Sequence, residues 1–313
     1  MNKPRRAPRR RVDGVLLLDK PLGITSSAAL QKARWLYNAA KAGHTGTLDP
    51  LATGLLPLCF GEATKFAGEL LDADKSYRAT LRLGVTTDTA DAEGRVLATR
   101  PVAVTELQWR TATADFRGEI EQIPPMYSAL KRDGKPLYEY ARAGIELERE
   151  PRRVTIQRLE LISLINDEVV IDVDCSKGTY VRTLAADIGE ALGCGAHLTA
   201  LRRTRIGDLD LVGSITLAEL EQLSVEARDA RLSPVDALLA NVATASLDAQ
   251  ETARVLHGQG IRWEGVSGKR YRLYAADKGV FLGLAEQSLD GWLNPSRLVV
   301  TDQPQAVKSA ESS

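Results

Sequence analysis

A run of constrained residues between Gly43 and Gly54 surrounds a single carboxylate, Asp49. Pro50 follows immediately and restricts the backbone of Asp49 to extended conformations, whereas the glycines permit tight turns and the close approach of a ligand. A carboxylate held in this way could act as a preorganised nucleophile or a general base. From these residues alone, however, ordinary turn chemistry is the more frequent meaning of an Asp-Pro pair in a glycine-rich loop.

Several other short motifs contain groups that could bind a ligand. They are Lys20-Pro21-Leu22-Gly23-Ile24-Thr25-Ser26, Lys75-Ser76-Tyr77, Pro124-Pro125-Met126-Tyr127-Ser128-Ala129-Leu130-Lys131, Gly178-Thr179-Tyr180-Val181-Arg182 and Leu201-Arg202-Arg203. Taken alone, Tyr77 and Tyr180 are more often packing residues, and a lone histidine such as His44 is usually a structural hydrogen-bonding group. The motifs gain meaning only in combination.

In combination, these segments resemble the TruB family of tRNA pseudouridine synthases. The segment around Asp49 matches the family signature, Gly-His-x-Gly-x-Leu-Asp-Pro-x-Ala-x-Gly, at every specified position. The other motifs follow in family order, so the strong matches cover roughly residues 12 to 210. The C-terminal part is similar only in outline to the small PUA-like RNA-binding domain of bacterial members.

The resemblance implies isomerisation of the uridine conventionally numbered 55, in the T loop of tRNA, to pseudouridine. The bond between ribose and N1 of uracil breaks, the base rotates, and it is rejoined through C5. The uridine must first be flipped out of the RNA loop. Because no atom is gained or lost, and because the chain has no P-loop, convincing dinucleotide fingerprint or clustered His/Cys ligands, we expect neither a cofactor nor a metal.

The resemblance also implies three catalytic residues. Asp49 would be the catalytic carboxylate, forming an adduct with the base or ribose or acting as a base at the sugar. Arg182 would form a salt bridge that keeps this partly desolvated carboxylate ionised. Tyr77 would stack on the target base and help remove the proton from C5.

Further residues are expected to contact the substrate. Tyr180 and Leu201 would line the pocket, and His44 would help to extrude the uridine and hold the opened loop. Lys20 and Lys65 would make phosphate or core contacts. The basic cluster of Arg202, Arg203 and Arg205 would contact RNA, whereas His197 and His257 are expected to be ordinary.

Two other functions remain open at this point. The first is an RNA-binding protein or tRNA folding chaperone without essential catalysis, against which the intact Asp49, Tyr77 and Arg182 argue. The second is a carboxylate-dependent hydrolase of nucleosides, which would need a second acid as proton donor. No motif supplies that acid.

Composition limits the class of protein. The 313 residues are 44% hydrophobic and 26% charged, which is ordinary globular usage. Lys plus Arg and Asp plus Glu both number 41, so net charge gives no hint of a nucleic-acid partner. Apolar runs such as Val15 to Leu18 are too short to span a bilayer, and we expect a cytoplasmic monomer without a membrane or obligate protein partner. Three widely spaced cysteines are expected to be buried reduced thiols: Cys59, Cys175 and Cys194.

The pattern of elements predicts an α+β fold with a mostly antiparallel sheet, flanking helices and a small β-rich C-terminal domain. Expected strands are residues 14–18, Tyr77 to Leu83, Val154 to Ile156, Val169 to Cys175, Tyr271 to Tyr274, Val280 to Ala285 and Leu298 to Thr301. Expected helices are one capped by Ser26 or Ser27 that runs to about Asn38, Tyr180 to Leu192 capped by Thr179, one opened by a capping box of Thr216 and Glu219, and Ala249 to Leu256. Lys41 to Gly54 is expected to be a structured loop.

The pattern of elements, together with what the family resemblance implies, predicts four regions. Residues 1–11 form a basic, disordered arm that includes Lys3, Arg5, Arg6, Arg9, Arg10 and Arg11. Residues 12–246 form the catalytic domain, residues 247–305 the PUA-like domain, and residues 306–313 a disordered tail.

Overall fold

The structure is a computed structural model that describes residues 8–128 and 130–300. Its α-helices are α1 (Ser26–Leu36), α2 (Glu106–Ala112), α3 (Leu137–Arg142), α4 (Val181–Ala191), α5 (Leu217–Gln222), α6 (Val225–Asp229) and α7 (Ala249–Leu256), and 3₁₀ helices span Gly61–Leu70, Ala114–Phe116 and Ala237–Leu239. Its strands are β1 (Gly14–Lys20), β2 (Ala42–His44), β3 (Ala52–Phe60), β4 (Lys75–Leu83), β5 (Val85–Thr87), β6 (Val96–Thr99), β7 (Gly118–Gln122), β8 (Lys131–Arg132), β9 (Lys135–Pro136), β10 (Arg152–Ile165), β11 (Glu168–Cys175), β12 (Ala196–Ile206), β13 (Leu209–Asp210), β14 (Ile215–Thr216), β15 (Ala243–Leu247), β16 (Ile261–Arg262), β17 (Arg270–Ala275), β18 (Val280–Gln287) and β19 (Trp292–Leu298).

Most of the chain is organised around one large sheet. Its strand order is β14-β1-β3-β12-β4-β11-β10-β7, with β2 paired to β3 and β13 to β12. All its pairings are antiparallel except β1 with β14 and β3 with β12. The predicted α+β fold with a mostly antiparallel sheet is therefore confirmed.

The centre of this sheet brings distant segments side by side. Strand β12 lies between β3 and β4, where Arg203 is opposite Gly54 on one side and Tyr77 on the other. Leu201 is opposite Ala52 and Ala79 in the same way. Residues separated by more than a hundred positions thus meet at one place on the sheet.

Helices cover the sheet because their apolar faces pack on its buried side chains. Helix α4 contributes Leu184, Ala185 and Ile188 to a core with β4 and β11. Helix α1 contributes Ala29 and Ala33 to a second core with β1 and β3. Tyr77 and Leu201 are partly buried and touch both cores, so they lie at the seam between them.

A second sheet forms the C-terminal part, as predicted. Its strand order is β15-β17-β18-β19-β16, and α7 packs against it around Val255. Strand β15 begins at Ala243 and pairs with β17, so the five-stranded sheet includes residues before position 247. We accordingly propose that the division between the two units lies before Ala243.

Two helix starts differ from the sequence-based prediction. Helix α1 is capped by Thr25, whose side chain accepts a hydrogen bond from the Ala28 amide, whereas the expected cap Ser26 is buried and bonds elsewhere. Helix α4 begins at Val181 without a side-chain cap. The expected cap Thr179 instead donates from Oγ1 to the carbonyl of Ser176 at 3.0 Å.

Several strand bounds also differ. The expected loop from Lys41 to Gly54 begins and ends in β2 and β3, and β10 is much longer than predicted. The last strand, expected from Leu298 to Thr301, is Trp292–Leu298 and contains Pro295. Proline has no backbone N–H to donate to a neighbouring strand. It is tolerated there because the pairing of β18 with β19 is irregular at this point.

The chain ends are only partly described. The expected arm and tail lie largely outside the described residues, as do Thr301 and the motif residue Ala129. Arg10, expected to be disordered, forms a parallel bridge opposite Ala39, donating its amide to the Asn38 carbonyl and accepting from the Ala40 amide. Its side chain pairs with the carboxylate of Asp229 at 2.5 Å. Arg11 donates to Asp13. The three cysteines are buried free thiols, as predicted.

Candidate active site

The loop that carries Asp49 is held by hydrogen bonds from the preceding segment. The Ser26 hydroxyl donates to the Leu48 carbonyl at 3.0 Å and accepts from the Leu48 amide at 2.7 Å. The Gly23 amide donates to the Pro50 carbonyl at 2.9 Å. Asp49 is thereby fixed in the turn that leads into β3, while its side chain stays 45% exposed.

Arg182 is the cation nearest to this carboxylate. Its side chain is 7% exposed, and its Nη2 lies 3.1 Å from Asp49 Oδ2. Nη2 also donates to the Tyr127 carbonyl at 2.7 Å, and Nη1 to the Thr89 carbonyl at 3.3 Å. The position of Arg182 in the first turn of α4, which the sequence predicted, directs the guanidinium toward the loop.

Asp91 is a second carboxylate on the same guanidinium, which sequence reasoning missed. Its Oδ2 lies 3.3 Å from Arg182 Nη1, and its side chain is 5% exposed. Its Oδ1 accepts from the Thr89 hydroxyl at 2.5 Å and the Glu93 amide at 3.1 Å. The buried Asp91 therefore anchors Arg182 and leaves the exposed Asp49 free to face a ligand. In the sequence, only a turn-like Asp-Ala-Glu-Gly run marked this position.

A cavity of about 200 Å³ opens at Asp49. It is lined by Thr47, Leu48, Asp49, Ala52, Tyr77, Ser128, Thr179, Tyr180, Val181, Arg182 and Leu201. Larger cavities occur elsewhere, but this one combines a carboxylate, an arginine and two tyrosines. The structure thus brings together all the predicted catalytic residues and both predicted pocket residues.

The tyrosines are fixed differently. Tyr77 stands on β4, and burial raises the pKa of its phenol, which the nearby Arg203 guanidinium opposes. Tyr180 is tied by its backbone to Gln122, whose amide side chain bonds both its N–H (3.1 Å) and its carbonyl (3.4 Å). Burial raises the pKa of Tyr180 as well. Both rings therefore present apolar faces with neutral hydroxyls, which suits contact with an uncharged base.

His44 is neutral and lies outside the cavity lining. Burial and the Arg203 guanidinium lower the pKa of its imidazole. Its Nδ1 accepts from the Gly46 amide at 3.4 Å, so Nε2 carries the proton. His44 is half-buried on β2, beside the loop that carries Asp49.

Lys20 was expected among the substrate-binding residues, and the structure places it in the core. Its side chain is fully buried, and Nζ donates to the carbonyls of Pro21 at 2.9 Å and Ile24 at 2.7 Å. Burial lowers its pKa to about 8. Lys65 similarly binds Glu62 and the Leu298 carbonyl. These lysines hold turns and segments together rather than facing RNA.

The basic cluster is divided by strand alternation between Arg202 and Arg203 and by the irregularity of β12 between Arg203 and Arg205. Arg202 is 41% exposed and forms a bidentate pair with Asp19, at 3.0 and 2.6 Å. Arg205 is equally exposed and donates to Ser76. Arg203, expected to contact RNA with its neighbours, is only 2% exposed. Arg202 and Arg205 are partly exposed, whereas Arg203 is buried in the protein.

Some classes of site are not found in the part of the chain that the structure describes. Residues 8–128 and 130–300 contain no cluster of three or more His, Cys, Asp or Glu side chains able to hold a metal ion. Within the same ranges, no helix is long and apolar enough to cross a membrane.

Family models match consecutive parts of the chain. Residues 34–181 match the model described as TruB family pseudouridylate synthase (N terminal domain). Residues 182–242 match the tRNA pseudouridylate synthase B C-terminal domain, and residues 243–299 match Pseudouridine synthase II TruB, C-terminal.

Curated relatives are similar over nearly the whole chain. The tRNA pseudouridine synthase B of Chromobacterium violaceum is 59% identical over 308 residues, covering 98% of this chain and 100% of the relative. That of Burkholderia mallei is 60% identical over 306 residues, covering 96% and 97%.

Solved structures share the fold. A chain from an H/ACA ribonucleoprotein bound to a substrate RNA containing 2′-deoxyuridine superimposes with a TM-score of 0.70 at 23% identity, covering 92% of this chain and 85% of that one. A chain of an archaeal box H/ACA complex gives 0.68 at 24% identity, covering 92% and 86%. At these identities the likeness concerns the fold alone.

Proposed function

This chain belongs to the TruB family of pseudouridine synthases and forms pseudouridine in tRNA, and from that premise we propose that its target is uridine 55 of the T loop, with Asp49 as the catalytic carboxylate. The observation that carries the proposal is the Asp49 to Arg182 ion pair of 3.1 Å at the mouth of a cavity flanked by Tyr77 and Tyr180. A flipped uracil would enter between these rings.

Asp49 acts on the glycosidic bond. Its exposed carboxylate can add to the base, add to the ribose, or remove a proton from the sugar, and each route ends with the base rejoined through C5. Because Arg182 is held in turn by Asp91, its guanidinium stays paired with Asp49 beside an uncharged base. Proximity and preorganised charge provide the catalytic effect that a cofactor provides in other enzymes.

Tyr77 supports the last step. Its ring stacks on the uracil, and its oxygen accepts the proton that leaves C5. Tyr180 and Leu201 close the pocket around the base and exclude water. Exclusion of water protects the detached uracil from loss to solvent.

Base flipping requires contacts outside the pocket. Extruding a stacked uridine costs a few kcal/mol, which protein contacts must offset. The neutral His44 beside the catalytic loop supports the opened RNA loop, and the exposed Arg202 contacts a phosphate. The five-stranded C-terminal sheet binds elsewhere on the tRNA, toward the acceptor stem.

The test uses unmodified tRNA transcript, with a second transcript carrying cytidine at position 55. After incubation without cofactor or metal, pseudouridine is mapped along the RNA by chemical labelling and reverse transcription. We expect one modified position, the T-loop uridine, in the first transcript and none in the second. Modification at another position contradicts the assignment of uridine 55. Free uracil with an abasic site would indicate hydrolysis, and binding without modification would indicate an RNA-binding protein.

A further inference from the structure

Arg203 is a buried cation that the proposed function leaves without a role. It lies on β12 at the centre of the large sheet, between Gly54 on β3 and Tyr77 on β4. Its side chain is 2% exposed. A charged group is rarely buried unless it is paired, because desolvation is unfavourable. Arg203 therefore requires an explanation.

The contacts of Arg203 satisfy only part of its guanidinium. Nε donates to the Leu55 carbonyl at 2.8 Å, and Nη1 lies 3.5 Å from the Thr47 carbonyl. Nη2 is buried and has no hydrogen-bond partner within residues 8–128 and 130–300. Among the described residues, no carboxylate forms an ion pair with Arg203. Its positive charge is consequently not neutralised from within the core.

Tyr77 is the residue directly opposite Arg203 where β4 pairs with β12. Burial raises the pKa of the Tyr77 phenol, and the Arg203 guanidinium opposes this by lowering it. The other ionisable neighbours are cations or a neutral imidazole: Arg203 lowers the pKa of Lys20, His44 and Lys75. The phenol of Tyr77 is thus the neighbour best able to take up a negative charge against Arg203.

The loop around Asp49 also depends on this arginine. Nη1 lies 3.5 Å from the carbonyl oxygen of Thr47, two residues before Asp49. A side chain at Gly54 would overlap the Arg203 backbone, with an added Cβ only 2.2 Å from the Arg203 carbonyl oxygen. The glycine allows β3 and β12 to approach closely, which sets the guanidinium under the floor of the cavity.

We propose that Arg203 is a positioning residue for the isomerisation, whose guanidinium lies beside Tyr77 and stabilises the phenolate that removes the proton from C5. This inference rests on the proposed function, in which Tyr77 accepts that proton. Arg203 itself does not touch the substrate. It acts through Tyr77, as a charge placed in advance where negative charge develops.

The reaction neither gains nor loses a proton overall. Isomerisation removes one proton from C5 and leaves one on N1. The phenol gives up its proton as N1 gains one, and the phenolate then takes the proton from C5. The electron pair of the broken C5–H bond stays in the ring and restores the C5=C6 double bond, so Tyr77 ends as a phenol. A fixed cation beside the oxygen lowers the free energy of the intervening phenolate.

The experiment measures single-turnover pseudouridine formation on tRNA carrying uridine 55 with either hydrogen or deuterium at C5. The variants are Arg203→Met, Arg203→Lys and Tyr77→Phe, with Arg82→Met as a matched control. Arg82 lies on the same strand as Tyr77 and forms an exposed pair with Asp167 at 2.7 Å. Circular dichroism and tRNA affinity establish that each variant is folded.

We expect Arg203→Met to slow the reaction about 100-fold, within the range of general acid–base catalysis, and to reveal a primary isotope effect at C5. Arg203→Lys, which retains a cation, should show a smaller loss of rate. Arg82→Met should react at the wild-type rate. Fluorotyrosine at position 77 has a more acidic phenol, so it should recover part of the rate lost in either Arg203 variant. A structural role for Arg203 would give neither the isotope effect nor this recovery.

Two results would overturn the inference. One is an Arg203→Met enzyme as fast as the wild type. The other is a slow Arg203 variant with no isotope effect and no recovery by fluorotyrosine; if Arg203→Met does not fold, Arg203→Lys decides this point. Failure of the proposed function looks different, because the wild type would then leave uridine 55 unmodified or Tyr77→Phe would be fully active.

Discussion

At the scale of the residue, the site depends on one guanidinium shared by two carboxylates. Arg182 contacts Asp49 and Asp91 with different nitrogens, and Nη2 also donates to the Tyr127 carbonyl. Only a planar fork with several donors can reach all three groups together. The pairing places one carboxylate in the core and its partner at the surface of the cavity.

Replacing Arg182 by lysine should therefore impair catalysis although the charge is kept. We expect Arg182→Lys to lower the single-turnover rate about 100-fold or more, because one ammonium cannot hold Asp49 and remain bonded to Asp91. Arg100→Lys, at an exposed pair with Glu190, should change the rate little. Equal rates for Arg182→Lys and the wild type, measured by pseudouridine formation, would count against the shared-guanidinium arrangement.

The pH dependence of the free energy of unfolding tests the burial of Lys20. Its pKa falls from 10.5 to about 8 in the folded protein, mainly because it is buried. Between those values the unfolded chain binds more protons than the folded protein, so this lysine makes the free energy of unfolding rise with pH. The pKa difference corresponds to at most about 3 kcal/mol.

The measurement compares urea unfolding of the wild type and Lys20→Met at several pH values from 7 to 10. Groups common to both proteins cancel, and the methionine does not titrate. The free energy of unfolding of the wild type should rise relative to that of Lys20→Met above pH 8. If the difference in the free energy of unfolding between the wild type and Lys20→Met stays constant or falls as pH rises, the ammonium is well solvated in the folded protein.

At the scale of the element, the site is assembled by the close pairing of β3 with β12. Gly54 has a φ of +97°, and an added Cβ would lie 2.2 Å from the Arg203 carbonyl oxygen. No side chain can be accommodated there without shifting a central strand. The sheet needs glycine at this position for steric reasons, independently of any catalytic role.

We expect Gly54→Ala to lower the free energy of unfolding by about 3 kcal/mol or more, since both the backbone angle and the contact are unfavourable. Gly68→Ala is the matched control. Its Cβ would meet nothing within 4 Å, so the effect should stay within about 1 kcal/mol. Urea unfolding measures both, and equal stabilities for the two variants would contradict the packing described.

Elements with strong local signals could be predicted from the sequence. Helix α7 has the predicted bounds, and the Thr216 and Glu219 capping box is present. Asn166 adopts a φ of +56° in the hairpin between β10 and β11, a conformation that asparagine tolerates in turns. Here local hydrogen bonding determines the structure.

Features that depend on distant contacts could not be predicted. Ser26 was expected as a helix cap, but its hydroxyl bonds the Leu48 backbone across the fold. Asp91 and the burial of Arg203 likewise follow from strand order, which no local pattern encodes. Asp49, Tyr77 and Arg182 were identified through the motifs' resemblance to a family, whereas their geometry required the structure.

At the scale of the whole molecule, the two sheets are joined through the 3₁₀ helix Gly61–Leu70. Phe66 from this helix is buried against Phe281 of β18, with ring centroids 5.6 Å apart. Glu69 and Arg270 form a bidentate pair at the edge of the same junction, at 2.8 and 2.9 Å. The apolar contact is enclosed, whereas the ion pair is exposed to solvent.

We expect Phe66→Ala to lower the free energy of unfolding by about 3 to 5 kcal/mol, as is usual for a buried aromatic ring. Glu69→Gln should change it by less than about 1 kcal/mol, because exposed ion pairs contribute little. Urea unfolding with hydrogen exchange at Leu282 and Leu284 measures both effects. A larger decrease in the free energy of unfolding for Glu69→Gln than for Phe66→Ala would contradict this description of the junction.

The most direct test of the central claim is tritium release from tRNA labelled at C5 of uridine. Wild type, Asp49→Ala and the control Asp277→Ala, in an exposed turn, are compared without cofactor or metal, together with their affinities for the tRNA. We predict release by the wild type and by Asp277→Ala, and none above background by Asp49→Ala although it still binds. Release by Asp49→Ala at the wild-type rate would contradict the account.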